Sequence, residues 1–487
     1  MLDKPAPTGR SLYIGGSWRH PLSGRYAPTL NPGTNEVICD VAEASAADID
    51  VAVAAARTGF RTWRQVPPLE RGRILKAIAM VVRENARELA ALDAANCGNP
   101  MREMVGDAAI AAAQLDFFGG LVTEMKGDTI PMGPDAINLT VRQPLGVVAR
   151  ILAFNHPFMF CAGKMAAPLA AGNAVIIKPP EQAPLSSLRL AELIGGLLPE
   201  GVLSIVPGGR EAGAALASHP GIDKVALIGS VQAGRAVMKA ASDTIKPVLL
   251  ELGGKNALIA FADADPERVA AAVVAGMNFT WCGQSCGSTS RAFIHRDIYE
   301  AVLSRLPQKL SGFVPGIPTD EATTMGAIVS AAQHARILDF IASATAEGAR
   351  LVCGGRVPDD PRLAGGFYIE PTIFADVTPQ MRIAREEIFG PVLSVMPWSD
   401  EAQMLETVNS VEYGLTCSIW TNDLVKAHRT ALAAEAGFVW VNEVAKHFLG
   451  TPFGGWKQSG IGREECLGEL IAFTQEKNIH VSLKLPG

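Results

Sequence analysis

The chain has 487 residues, 48% of them hydrophobic and 19% charged, with a formal net charge of −6 at pH 7. A chain this long and apolar buries a large core, divides into two or three domains, and is not a disordered protein. No run of Lys or Arg marks a phosphate-backbone footprint, so no nucleic-acid partner is expected.

In chain order, Met1-Leu2-Asp3-Lys4-Pro5 has no apolar signal segment, which points to a cytoplasmic protein. Residues 46–125 are helical in pattern: Asp48–Thr58 and Arg71–Leu92 repeat apolar residues at spacings of three and four. From Gly146 the pattern changes. Gly146–Phe154 is an apolar, β-branched run that ends at Asn155. A helix near Met159–Ala171 and a strand over Asn173–Lys178 follow. The stretch 157–177 is apolar but broken by Lys164, Pro168 and Asn173, whereas a membrane span needs about 20 unbroken apolar residues, so no membrane partner is expected. Next come a helix (Leu185–Leu198), a strand (Val202–Val206), a helix (Glu211–Ser218), a strand (Lys224–Ile228), a helix from Val231 and a strand (Pro247–Leu252). Alternation of this kind predicts a parallel, doubly wound α/β sheet, whose ligand lies outside the carboxyl ends of the strands. Asn155, Lys178, Gly208–Gly209, Gly229–Ser230 and Glu251 all fall at such ends. A second α/β domain begins near Gly253, with helices at Pro266–Asn278 and Ala331–Glu347 and strands at Val392–Met396 and Phe438–Asn442. The tail Asn478–Leu485 alternates as an exposed strand, and an open edge invites a second chain.

Several residues carry chemistry. Cys286 sits among small residues in Gly283-Gln284-Ser285-Cys286-Gly287, where a thiolate near a base makes a covalent nucleophile. Glu251 ends the apolar strand before Leu252-Gly253-Gly254-Lys255. Burial there suits a general base, while a cap or a pairing with Lys255 is the structural alternative. Gly229-Ser230 turns from a strand into a helix whose N-terminus attracts phosphate. Lys178-Pro179-Pro180-Glu181 could hold ribose hydroxyls. Eight cysteines without CxxC imply reduced thiols, and eight histidines without HExxH imply no metal.

Together these segments resemble the aldehyde dehydrogenase superfamily over nearly the whole chain. The likeness runs through Tyr13-Ile14-Gly15-Gly16-Ser17-Trp18, Asn31-Pro32-Gly33-Thr34-Asn35-Glu36, Pro144-Leu145-Gly146-Val147, Phe154-Asn155-His156-Pro157 and Glu251-Leu252-Gly253-Gly254-Lys255. It continues through Gly283-Gln284-Ser285-Cys286 with Arg291, Glu386-Glu387-Ile388-Phe389-Gly390-Pro391, and Pro452 to Gly460. The resemblance implies a dinucleotide-binding domain of residues 1–119 and 142–252, a catalytic domain of 253–456, and a small oligomerisation β-extension of 120–141 and 457–487. It implies that Cys286 attacks an aldehyde, that Asn155 and the Cys286 N–H hold the oxyanion, and that Glu251 activates the water that hydrolyses the thioester. Lys178, Glu181, Gly213, Gly229, Ser230, Leu252, Glu387 and Phe389 match the dinucleotide site. Glu181 would repel a 2′-phosphate, so NAD is expected over NADP.

His156, Phe158, Trp281, Ser285 and Phe448 match the substrate tunnel, with Phe117, Met159, Cys282 and Lys446 nearby. Their rings suit an apolar or aromatic tail. His156 and Lys446 suit an acid-bearing aldehyde if they face the tunnel. Asn138–Gln143 and the tail resemble strands that join subunits, so a homodimer or homotetramer is expected. Ile228, Val231, Gly287, Trp456 and His156 depart from the common pattern without removing a group the chemistry needs.

Two other readings use the same residues. A CoA-acylating relative would pass the thioester to coenzyme A, but Glu251 argues for water. The segment 283–287 also fits G-x-S-x-G with Ser285 as a hydrolase nucleophile. That motif needs a strand before and a helix after, and the pattern here is the reverse.

Overall fold

A computed structural model describes residues 9–484. Met1–Pro5, on which the expectation about secretion rests, and Leu485 of the tail lie outside the described residues.

Two α/β units carry the fold. The first sheet has eight strands, and its five central ones are parallel: Leu203–Ile205, Ala174–Lys178, Val147–Ile151, Lys224–Ile228 and Val248–Glu251. These strands are apolar runs because helices cover both faces, and residues 147–151, 174–178 and 224–228 are buried throughout. Leu12–Ile14 and Gly460–Ile461 add antiparallel strands on either side of the parallel five. The chain winds outward from Val147–Ile151 in one direction, then returns to place Lys224–Ile228 on its other side. That reversal opens a crevice at the carboxyl ends of these two strands.

Residues 252–256 lead directly into the second sheet. Its seven strands run in the order Arg350–Cys353, Thr372–Ala375, Val392–Trp398, Arg291–His295, Ala257–Ala260, Thr416–Trp420 and Phe438–Val441. All neighbours are parallel except the first pair. The crevice therefore lies between the carboxyl ends of one sheet and the amino ends of the other.

Helix boundaries differ from the sequence pattern for local reasons. The first helix starts at Ala46, ahead of the expected Asp48, because Ser45 and Asp48 form a reciprocal capping box. The expected Arg71–Leu92 helix is two helices, Pro68–Glu84 and Ala86–Cys97. They part at Asn85, whose side-chain amide donates to the Val81 carbonyl at 2.7 Å. Met159–Ala171 likewise divides into Pro157–Lys164 and Ala166–Ala171. Pro168 has no N–H to give the Lys164 carbonyl, so the helix cannot run through. The tail strand is Thr474–Ser482, longer at its start than expected, and one side pairs along its length with Ala136–Pro144.

Candidate active site

The crevice holds a cavity of about 790 Å³. Asn155, Lys178, Glu181, Gly213, Gly229, Ser230, Glu251, Leu252, Cys286, Glu387 and Phe389 all line it. Every residue expected to catalyse or to hold a dinucleotide is thus brought to one place from distant parts of the chain.

Cys286 lies in the loop between the helix Pro266–Gly276 and the strand Arg291–His295. Asn278 and Cys282 adopt left-handed backbone (φ 54° and 55°) and Gly283 follows at φ 64°. A Cβ on Gly283 would stand 2.3 Å from the Gly390 carbonyl oxygen, so this close approach admits no side chain. Asn256 ties the loop to the second sheet. Its amide donates to the carbonyls of Cys286 (2.6 Å) and Ser288 (2.9 Å), and its oxygen accepts from the Thr416 N–H (3.0 Å). Burial pushes the Cys286 thiol up to about 12, and the charges of Glu251 and Glu387 add to the effect.

Glu251 is the last residue of its strand and is 4% exposed. Neither of its carboxyl oxygens has a hydrogen-bond partner among the described residues, and neither does Lys255 Nζ, so the alternative pairing of these two residues does not form. Burial holds the Glu251 carboxyl well above the usual range, and the charge of Glu464 raises it further against Lys164. Glu464 itself is bridged by Arg150 (2.7 Å) and Lys164 (2.8 Å).

On the dinucleotide side, burial lowers Lys178 to about 8, while Glu181 favours its charged form. Glu181 is exposed at the rim. Ser230 caps the helix Val231–Ser242 by accepting from the Ala233 N–H at 3.2 Å. Opposite, Glu387 Oε1 accepts from the Gly254 N–H at 3.0 Å. Phe389, at φ 55°, meets Phe154 edge-on with centroids 5.6 Å apart. Gln333 and Arg336 hold this segment: Gln333 donates to the Ile388 and Phe389 carbonyls, and Arg336 to those of Ile388 and Glu387. Sequence reasoning missed both, as well as Asn256. Gln333 and Arg336 stand three apart on one face of a helix, and Asn256 is a polar residue at the mouth of an apolar strand.

The expected tunnel residues do not line this cavity. His156 and Trp281 lie against each other, with ring centroids 5.5 Å apart. Phe158 is 1% exposed within the hydrophobic core, and its N–H donates to Asp93. Phe448 is 55% exposed. Lys446 pairs with Glu443 at 2.6 Å near the surface. Ser285 is half-buried beside Cys286, but a helix precedes it and a strand follows, the reverse of a hydrolase nucleophile elbow.

The model of the aldehyde dehydrogenase family matches residues 18–479. The chain belongs to that family. Aldehyde dehydrogenase tropH of Talaromyces stipitatus is 52% identical over 490 residues, covering 99% of this chain and 95% of that protein. A betaine aldehyde dehydrogenase of Brucella melitensis is 42% identical over 475 residues, covering 97% of each. Among solved structures, the NAD⁺ complex of an aldehyde dehydrogenase from Bacillus cereus superposes with a TM-score of 0.94 at 37% identity, covering 97% of this chain and 96% of that one. The α/β fold expected from the strand–helix alternation is the fold of this family. All eight cysteines are free thiols. No helix among the described residues is long and apolar enough to cross a membrane.

Proposed function

We propose that the protein oxidises an aldehyde to the carboxylic acid with NAD, through a thioester on Cys286. The observation that carries this reading is the single cavity in which Cys286, Asn155 and Glu251 meet the strand-end residues Lys178, Glu181, Ser230 and Glu387. Cys286 Sγ adds to the aldehyde carbon as the thiolate, its proton passing to solvent by way of the Glu251 carboxylate, whose charge acts on the thiol. The Asn155 side-chain amide and the Cys286 N–H donate to the oxyanion, where fixed donors are worth about 3–4 kcal/mol. Loss of hydride converts the thiohemiacetal to a thioester. Glu251 takes a proton from water, which attacks the acyl carbon and frees the thiol. Hydrolysis by water, not transfer to coenzyme A, is supported by a carboxyl at the cavity wall that has no hydrogen-bond partner among the described residues.

The cavity fits a dinucleotide in size and in chemistry. Lys178 and Glu181 would hold the adenosine ribose, and the amides at the capped turn Gly229–Ser230 the pyrophosphate. Glu387 would hold the nicotinamide ribose beside Phe389, with Gly213 and Leu252 completing the walls. The dinucleotide supplies the hydride acceptor. The exposed carboxylate of Glu181 disfavours a 2′-phosphate, so NAD is preferred over NADP. The site is read as one subunit's share of a homodimer or homotetramer.

The test is NADH formation across aliphatic and aromatic aldehydes, compared with NADPH formation from NADP. Turnover in the native protein and none in Cys286→Ala is expected. Undiminished turnover in that variant removes the mechanism, and preference for NADP removes the role of Glu181.

A further inference from the structure

Asn99 stands in the corner Gly98-Asn99-Pro100, between the helices Ala86–Cys97 and Met101–Gly120, and is 1% exposed. Its amide nitrogen donates to the Asn155 carbonyl at 2.7 Å. A carbonyl only accepts, so the nitrogen must be the atom that faces it. The nitrogen's other contact is the weak acceptor Met104 Sδ at 3.9 Å. Asn99 Oδ1 is buried and has no hydrogen-bond partner among the described residues. An unpaired buried acceptor is costly, so packing alone would favour an apolar side chain here. What the amide adds is the bond to Asn155.

The corner itself is fixed. Pro100 restricts the Asn99 backbone to extended conformations. The Gly98 carbonyl accepts from the Ala327 N–H at 2.8 Å, and a Cβ on Gly326 would stand 1.8 Å from the same oxygen. Backbone therefore lies directly on backbone, and the support of Asn155 is docked on a segment of the second α/β unit.

The same segment, buried over residues 325–329, holds the loop that carries Cys286. Gln284, also 1% exposed, accepts from the Val329 N–H through Oε1 at 3.1 Å. Its own N–H donates to the Trp281 carbonyl at 2.9 Å. Between the two ties, the Ile328 N–H donates to the Phe367 carbonyl at 2.7 Å. Three consecutive N–H groups are thus engaged, and sliding the segment would break all three. Asn155 and Cys286 come from different α/β units, and a reacting constellation must hold its geometry to within about 0.5 Å. Residues 327–329 give both a common support.

We propose that Asn99 and Gln284 are positioning residues that register the Asn155 side-chain amide on the Cys286 thiol, each through its tie to residues 327–329. This inference rests on the oxyanion role given to Asn155 above. Asn99 acts on the donor and Gln284 on the nucleophile, so reactions that need only one of them should separate the two. Aldehyde oxidation needs both. Alkylation by iodoacetamide needs the thiolate alone, because sulfur displaces iodide from carbon and no oxyanion forms.

The experiment uses the full chain and the aldehyde of highest turnover in the screen above. It measures kcat/KM for NADH formation, and the rate of Cys286 alkylation by peptide mass spectrometry. Asn99→Ala should lower kcat/KM at least about tenfold and leave alkylation within about twofold of native, whereas Gln284→Ala should lower both. A general loss of fold would move both rates in either variant. Asn99→Asp keeps the shape but turns an acceptor towards the Asn155 carbonyl, and should show the same split as Asn99→Ala. In an Asn155→Ala background, Asn99→Ala should cost less than about a further twofold, since the group it positions is gone. Native kcat/KM in both Asn99 variants, alkylation that falls with it, an undiminished effect in the Asn155→Ala background, or native alkylation in Gln284→Ala overturns the proposal. Native kcat/KM in Asn155→Ala itself would instead remove the oxyanion reading beneath it.

Discussion

Burial penalises the charge that Cys286 and Glu251 would each need for the proposed chemistry: it pushes the Cys286 thiol up to about 12 and holds the Glu251 carboxyl above the usual range. For Glu251 the consequence is a rising limb in the pH dependence of turnover, lying above its ordinary value of 4.5. Glu464→Gln removes the nearby negative charge and leaves Lys164 less neutralised, so Glu251 should ionise at lower pH. The limb of kcat should move to more acidic pH, and a limb that stays or moves alkaline would refute the assigned coupling. Stability has the opposite sign. A carboxyl whose folded pKa is raised loses stability as pH rises from its unfolded value through its folded one. Glu251→Gln should therefore unfold at a higher temperature than the native protein above neutral pH. The same variant should release one equivalent of NADH and then stall, as seen by stopped-flow absorbance. Continued turnover would assign water activation to another group.

Elements were legible in the sequence where one period dominated. The five parallel strands of the first sheet are short apolar runs between helical patterns, so their ends, and with them Lys178, Glu251 and Gly229–Ser230, could be read directly. Boundaries set by a single side chain were not legible from period alone, as at Ser45, Asn85 and Pro168. The contacts of the loop that carries Cys286 were hidden for a different reason. Asn256 and Cys286 are adjacent only because parallel strands Ala257–Ala260 and Arg291–His295 pair side by side. Asn256→Ala would leave the Cys286 carbonyl and the Thr416 N–H without their partner, at about 1–3 kcal/mol for each buried group, while the Ser288 carbonyl keeps the Ser290 N–H. Lower thermal stability and at least a tenfold lower kcat are expected, since small displacements of a nucleophile cost about 100-fold. A stable variant with native kcat would show that the loop is held by Gly283 and its neighbours instead.

At the scale of the whole molecule, the three-stranded sheet of Thr129–Pro131, Ala136–Pro144 and Thr474–Ser482 stands apart from both cores. Directly opposed residues share a face, so Ile137 lies beside Val481 and Leu139 beside Ile479. Ile479 is 40% exposed and Val481 38%, with Ile137 and Leu139 only half-buried. Met132 and Leu483 are exposed as well. An apolar strip of this kind on a sheet with an open edge is poorly suited to water and well suited to a second copy of the chain. The double variant Ile479→Asp, Val481→Asp puts two carboxylates on the strip without touching the cavity. Sedimentation velocity should show the native chain as a dimer or tetramer and the variant shifted to smaller species. Thermal unfolding of each domain core should change little, because these residues contribute to neither. A variant with native sedimentation would move the subunit interface to another surface. A monomeric native chain would remove the homo-oligomer altogether.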